Sequence, residues 1–174
     1  AAGPTDTLQA GGDISYGRFN EVIAKGYASI GNEVIQGDIA ALYSRDDGYL
    51  KDLNNPGSNR GWVKNWALRG KLRLTPADNL EVILAGSTSH HDDTISNSSQ
   101  PYRDNTTARR LSPATYVHLG PYEQNGTGGE LNQKSDNASL TVKLGLGGVD
   151  ATAIVGYDNS YLYTLADIDG SALN

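Results

Sequence analysis

The sequence predicts an all-β chain of antiparallel strands joined as hairpins, and three observations carry that reading. Apolar side chains recur with a period of two in at least five segments, the spacing of one face of a strand and not of a helix. Clusters of Gly, Asn, Asp and Pro punctuate those segments where turns would fall. The composition is also that of turn-rich β-structure, with 21 Gly among 174 residues and ten Tyr beside one Phe, where Gly usually makes up about 7%. With 37% hydrophobic and 20% charged residues, little apolar material is left for a large conventional core.

Residues 1–12 read as irregular, followed by a weak strand over Asp13–Phe19. In the next strand Val22, Ala24, Gly26, Ala28 and Ile30 share one face. Gly31-Asn32-Glu33 then turns the chain into a partner carrying Ile35, Gly37, Ile39, Ala41 and Tyr43, so a hairpin is expected. A loop follows over 47–62. The clearest alternation lies in Trp66–Leu74, where Trp66, Leu68, Gly70, Leu72 and Leu74 face one way and Arg69, Lys71 and Arg73 the other. Thr75-Pro76-Ala77-Asp78-Asn79 is a turn by composition, and Leu80, Val82 and Leu84 resume the apolar face.

The alternation stops at about His90, and 92–134 reads as one long polar loop, a length that in compact domains usually carries function. Ser139–Leu146 then alternates cleanly, Gly147-Gly148 makes a tight turn, and Val149, Ala151, Ala153, Val155, Tyr157, Tyr161 and Tyr163 form an odd-numbered face. The last hairpin is thus expected over 135–163 and a tail over 164–174, the whole of 1–174 forming one β-rich segment. About seven strands result, with short turns at one end and the long connections at the other. Outer-membrane barrels show that asymmetry, together with tyrosines near strand ends.

Several motifs carry a family resemblance. Ser44-Arg45-Asp46-Asp47-Gly48-Tyr49, the Asn-rich stretch at Asn54, Asn55 and Asn59, the run Leu68-Arg69-Gly70-Lys71-Leu72-Arg73-Leu74-Thr75-Pro76, and Asp78-Asn79-Leu80 together resemble the barrel of TonB-dependent outer-membrane receptors. The likeness covers roughly Gly12 to His91, and Ser139 to Tyr163 in a more general way. It implies uptake of siderophores or other scarce nutrients through a barrel of 22 strands blocked by a plug, and hence an outer-membrane location for the parent receptor. It also implies that Arg69, Lys71 and Arg73 line a lumen and attract an anionic ferric chelate, although a hydrated sheet face is the plainer account of the same residues. The chain departs from the family pattern: it has about a third of the strands, no recognisable plug or energy-coupling segment, and no aromatic C-terminal strand.

Other chemistry is sparse. The absence of Cys excludes disulfides, thiolate catalysis and Cys-based metal sites. A net charge of −6 and a pI near 4.9 argue against nucleic acid as a partner. No apolar run reaches the roughly 20 residues of a spanning helix. The start, Ala1 and not Met, suggests a processed or excised piece. His90-His91-Asp92-Asp93 is the one cluster with metal-ligand chemistry, but neighbours in a strand point to opposite faces, so a solvated strand end is the expected reading. Weak calcium binding could occur at the acidic turns Asp46-Asp47-Gly48 and Asp167-Ile168-Asp169-Gly170, yet the second lacks the Glu that a calcium loop needs. Four Asn-x-Ser/Thr matches, at Asn97, Asn105, Asn125 and Asn137, are expected from such composition by chance. No nucleophile–base constellation is present, so no enzymatic activity and no cofactor are expected.

Seven strands fall short of the roughly eight that close a barrel. The chain by itself is therefore expected to pair its exposed edges with copies of itself and to stack as a cross-β, amyloid-like extracellular filament with a structural role. Uptake by an intact receptor, or a small closed barrel, are the alternatives.

Overall fold

The computed structural model describes residues 7–53, 55–94, 122–124 and 129–166, and among them 76% lie in strands, with no α-helix. Seven strands form one antiparallel sheet: β1 (Gln9–Tyr16), β2 (Val22–Gly31), β3 (Ile35–Arg45), β6 (Val63–Ala77), β7 (Leu80–Asp93), β9 (Glu130–Gly145) and β10 (Asp150–Leu165). Each pairs with its neighbour in that order, and the sheet is not closed into a barrel. A second, three-stranded sheet is made by β4 (Leu50–Asp52), β5 (Asn59–Arg60) and β8 (Glu123–Gln124), in the order β5-β4-β8.

The register converts sequence alternation into two chemically distinct faces, because directly opposed residues in an antiparallel pair point the same way. One row crosses six strands through Ile30, Gly37, Leu72, Leu84, Leu140 and Val155. Another carries Tyr43, Trp66, His90, Lys134 and Tyr161. The opposite face holds Lys25, Asp38, Lys71, Glu81 and Lys143. Among the described residues no apolar side chain is buried, and the buried side chains are polar: Ser29, Asp52, Asp93 and Thr94. Even the central apolar row stays open, with Leu72 36%, Leu84 44%, Leu140 36% and Val155 66% exposed. A single sheet layer without a second layer has nothing to bury its apolar face against.

The tight turns gather at one end. Asn32 closes the β2–β3 turn by accepting from the Val34 and Ile35 N–H groups (2.9 and 2.8 Å). The β9–β10 turn uses Gly147 (φ 72°) and Gly148 (φ 121°), conformations that favour glycine. At the other end lie the connection Gly17–Glu21, the segment 46–62 and the long connection from β7 to β9.

Several expected boundaries change. β1 starts at Gln9, inside the stretch read as irregular, and ends at Tyr16; Arg18–Asn20 form a 3-10 turn in place of the end of the Asp13–Phe19 strand. β6 runs on to Ala77, so the expected 75–79 turn contracts to Asp78-Asn79. Pro76, which cannot donate a ladder hydrogen bond, is accommodated by a register shift between Leu74 and Ala77. β7 continues to Asp93 and β9 begins at Glu130, so both ends of the expected 92–134 loop are strand; likewise Thr164 and Leu165 belong to β10 and not to a tail. The 47–62 loop holds β4 and β5. The common reason is that alternation reports where one face is apolar, whereas strand extent is set by the backbone ladder, which runs past the apolar zone to Asp93↔Leu131.

The 46–62 segment folds back on itself at Gly48 (φ 79°), whose added Cβ would stand 2.4 Å from the Arg60 carbonyl oxygen. Gly48→Ala is expected to loosen this segment without disturbing the β9–β10 hairpin. Hydrogen exchange should quicken across 46–62 and stay unchanged in 139–156.

Candidate functional site

The polar face of the main sheet brings the expected basic residues together with carboxylates. Arg73 of β6 donates from Nε to Glu81 Oε1 of β7 (3.0 Å) and from a terminal nitrogen to Gln36 Oε1 of β3 (3.1 Å). Lys143 of β9 stands 3.5 Å from the other Glu81 oxygen. This network therefore ties four adjacent strands. The Arg73 guanidinium hydrogen bond holds the Glu81 carboxyl below the ordinary glutamate range, with the Lys143 and Arg73 charges adding to the effect and partial burial opposing it.

Arg69 and Lys71 have no carboxylate within ion-pair distance among the described residues. Asp38 opposes Lys71 in the register, yet its Oδ2 is enclosed without a hydrogen-bond partner. Beside them a concavity of about 660 Å³ is lined by Asp13, Lys25, Tyr27, Asp38, Leu42 and Arg69, with Lys25 paired to Asp13 at 3.1 Å. The expected basic face is thus a mixed one: Arg73 is consumed by Glu81 and Gln36, while Arg69 and Lys71 keep their charge available. The carboxylates Asp38 and Glu81 escaped the sequence reading because only the cross-strand register shows which charges meet. Their parity relative to Ile39 and Leu80 was the available signal.

The histidines divide as strand geometry requires. His90 lies on the apolar-face side of β7, 2.9 Å from Asp92 and with its ring centre 6.3 Å from that of Trp66. His91 lies on the other face, held between Asn65 and Asp93, with Nε2 2.6 Å from Asp93 Oδ2. Each imidazole takes the carboxylate two residues along its own side, so the four residues do not converge. Among the described residues no group of three or more His, Cys, Asp or Glu side chains is arranged to hold a metal ion.

The acidic turn at Asp46-Asp47-Gly48 is occupied by the protein itself. Asp46 Oδ1 accepts from the Gly48 N–H (2.8 Å), and Asp47 accepts from Asn20 (2.7 Å) and pairs with Arg45 (3.5 Å). Asp167–Gly170 lies outside the described residues, as do the Asn-x-Ser/Thr matches at Asn97, Asn105 and Asn125. The match at Asn137 falls within β9, where its amide donates to Ser135 (3.1 Å).

The loop end carries a feature without a sequence signal. Asp52, 1% exposed, accepts from Arg60 Nε (2.9 Å), and Thr94 Oγ1 accepts from the Gly61 N–H (3.0 Å). Next to it Phe19 and Asn20 both adopt positive φ (62° and 56°), which is uncommon for residues other than glycine. Tyr16 donates to Asn20 (2.6 Å), and the Phe19 ring sits 6.2 Å from Tyr49 with the Arg18 guanidinium 4.9 Å above it.

No family model, curated protein or solved structure matches the chain.

Glu81→Gln tests the ion network. Because the folded-state carboxyl titrates below its unfolded value, the stabilisation is present at neutral pH and is lost as pH falls below the ordinary Glu range of about 4.3. The substitution is expected to cost under about 1 kcal/mol at pH 7, the scale of a partly exposed pair, and to flatten the acid limb of stability. Denaturation measured from pH 3 to 7 checks both.

Proposed function

We propose that the chain forms part of the wall of an outer-membrane β-barrel of the TonB-dependent receptor type, with its apolar face toward lipid and its polar face toward a lumen through which a nutrient passes. One observation carries the reading: seven strands sort their side chains onto two faces while burying no apolar side chain among the described residues. Such a face is stable only against a non-polar surrounding. In β9 the apolar run Ala138–Leu144, extended by Leu146, approaches the ~9–11 residues of a spanning strand. Above it the same face turns polar at Asp136, Lys134 and Asn132, and Tyr43, Trp66 and Tyr161 lie in the row at that border, the place of an aromatic girdle. The division between tight turns and elaborated loops fits the same orientation. On the lumen side, the unpaired Arg69 and Lys71 would attract an anionic cargo; that cargo is substrate, and no step of its chemistry is required of the wall.

The test compares charges on the two faces. Leu84→Arg should disfavour insertion into detergent-solubilised or liposomal bilayers by about 2–4 kcal/mol, while Ser87→Arg on the polar face changes it little. Equal effects at both positions, or folding to the same sheet in plain buffer, would count against the reading.

A second reading is favoured by the two outer strands. β1 and β10 each lack a neighbour on one side among the described residues, and such edges template further pairing. In water, away from a membrane, the chain would self-associate into an extracellular β-filament. The five inner strands already spend both ladder edges on their neighbours, so copies would add through β1 and β10.

A further inference from the structure

We infer that copies of this chain join through β10, antiparallel to itself about a two-fold axis at Tyr157. The inference rests on the self-associating reading and not on the membrane one. Among the described residues β10 has few of the usual protections of an edge. All 16 of its residues are exposed, it contains no Pro or Lys, and its only charges are Asp150 and Asp158. Large apolar groups stand open on both of its sides, Val155 (66%) and Tyr157 (61%) on one, Ile154 (70%) and Leu162 (65%) on the other. β1 is half as long, with 8 residues, and carries Gly11, Gly12 and the paired Asp13.

Strand direction then selects the partner. Seven strands alternating in direction leave β1 and β10 running the same way. A copy in the same orientation would offer its β1 to β10 as a parallel strand, whereas a copy related by a two-fold axis perpendicular to the sheet offers β10 antiparallel to β10. The second arrangement extends the ladder already present and keeps the faces matched.

Face matching and charge fix the register. The odd-numbered residues of β10 share the apolar face with Leu140 and Leu144, so an odd residue must oppose an odd one, and the axis must pass through a residue position. Two such registers give the greatest overlap, 15 of the 16 residues: one centred on Tyr157, the other on Asp158. The second sets Asp158 against its own copy, and like charges directly opposed are destabilising. Centring on Tyr157 places Asp158 opposite Gly156, Ala153 opposite Tyr161 and Ile154 opposite Ser160, with the Tyr157 rings adjacent at the axis.

The chain has no cysteine, so a single nitroxide label can be placed cleanly. The full chain carrying Ala153→Cys or Tyr161→Cys, each labelled and studied in detergent-free buffer, should give equal inter-copy separations. Both positions are four residues from the axis, and at about 3.4 Å per residue that is about 27 Å. Centring on Asp158 would instead give about 34 Å for position 153 and about 20 Å for 161. Unequal distances, or coupling from a label at Ile14→Cys in β1 with none from β10, would overturn the inference while leaving self-association standing. A monomeric mass by light scattering, with no dipolar coupling at any position, would remove the self-associating reading as well. Ile154→Lys together with Leu162→Lys should reduce the coupled fraction severalfold if β10 is the junction, and leave it unchanged if it is not.

Discussion

The backbone ladder is the interaction on which this structure depends. In most domains of this size an apolar core holds the sheet, and the hydrogen bonds between strands contribute only about 0.5–1.5 kcal/mol each beyond what water offers. Here no apolar side chain is buried among the described residues, and the strands are held side by side by six consecutive antiparallel pairings from β1 to β10. Hydrogen bonds alone leave the conformational entropy of ordering these strands uncompensated in water, a cost of roughly 1–2 kcal/mol per residue for the backbone. The missing term has to come from whatever covers the faces and the edges.

That requirement explains the distribution of side chains. Leu72, Leu84, Leu140 and Val155 form a continuous row whose value is realised only in contact with lipid or another apolar surface. Polar residues on the reverse face compensate one another laterally, as Gln36, Arg73, Glu81 and Lys143 do across four strands. Among the described residues Asp52 has the fully enclosed side chain, and it is matched by Arg60 in the small loop-end sheet. In this small sheet the buried contact is therefore polar and local, while the apolar row lies on the surface of the main sheet. Membrane insertion would cover the apolar face and edge pairing the outer strands, and the two would be exclusive for a given molecule: the two-fold arrangement of β10 puts the loop ends of the two copies on opposite sides, which a membrane wall with all its loops on one side does not permit.

The turn and strand-end motifs of the sequence are residues that the fold uses structurally. Gly48 sits where a Cβ would collide with the Arg60 carbonyl, Asp46 closes the turn onto Gly48, and Asn79 donates to the Gly145 carbonyl at 3.0 Å, linking the β6–β7 turn to the end of β9. These positions shape strand ends and turns. They say how the sheet is built, and on its polar face Arg69 and Lys71 keep charges that no ion pair among the described residues takes up.

By itself the sequence determined the all-β class, the seven main strands and the two faces of six of them over their alternating stretches, because a period of two in Trp66–Leu74, Ser139–Leu146 and Val149–Tyr163 is a local property of strand geometry. It also separated His90 from His91, for the same reason. Tertiary structure alone decided which charges meet, since Arg73 reaches Glu81 only through the β6–β7 register, and Asp38 faces Lys71 only through that of β3 and β6. The true ends of β7 and β9 were likewise invisible, because beyond Thr88 and Asp136 both faces are polar and only backbone hydrogen bonds mark the strand. The positive φ of Phe19 and Asn20 belongs to the same category: it is accompanied by contacts to Asp47 and Tyr49 that the chain makes only once the strands have brought those residues together.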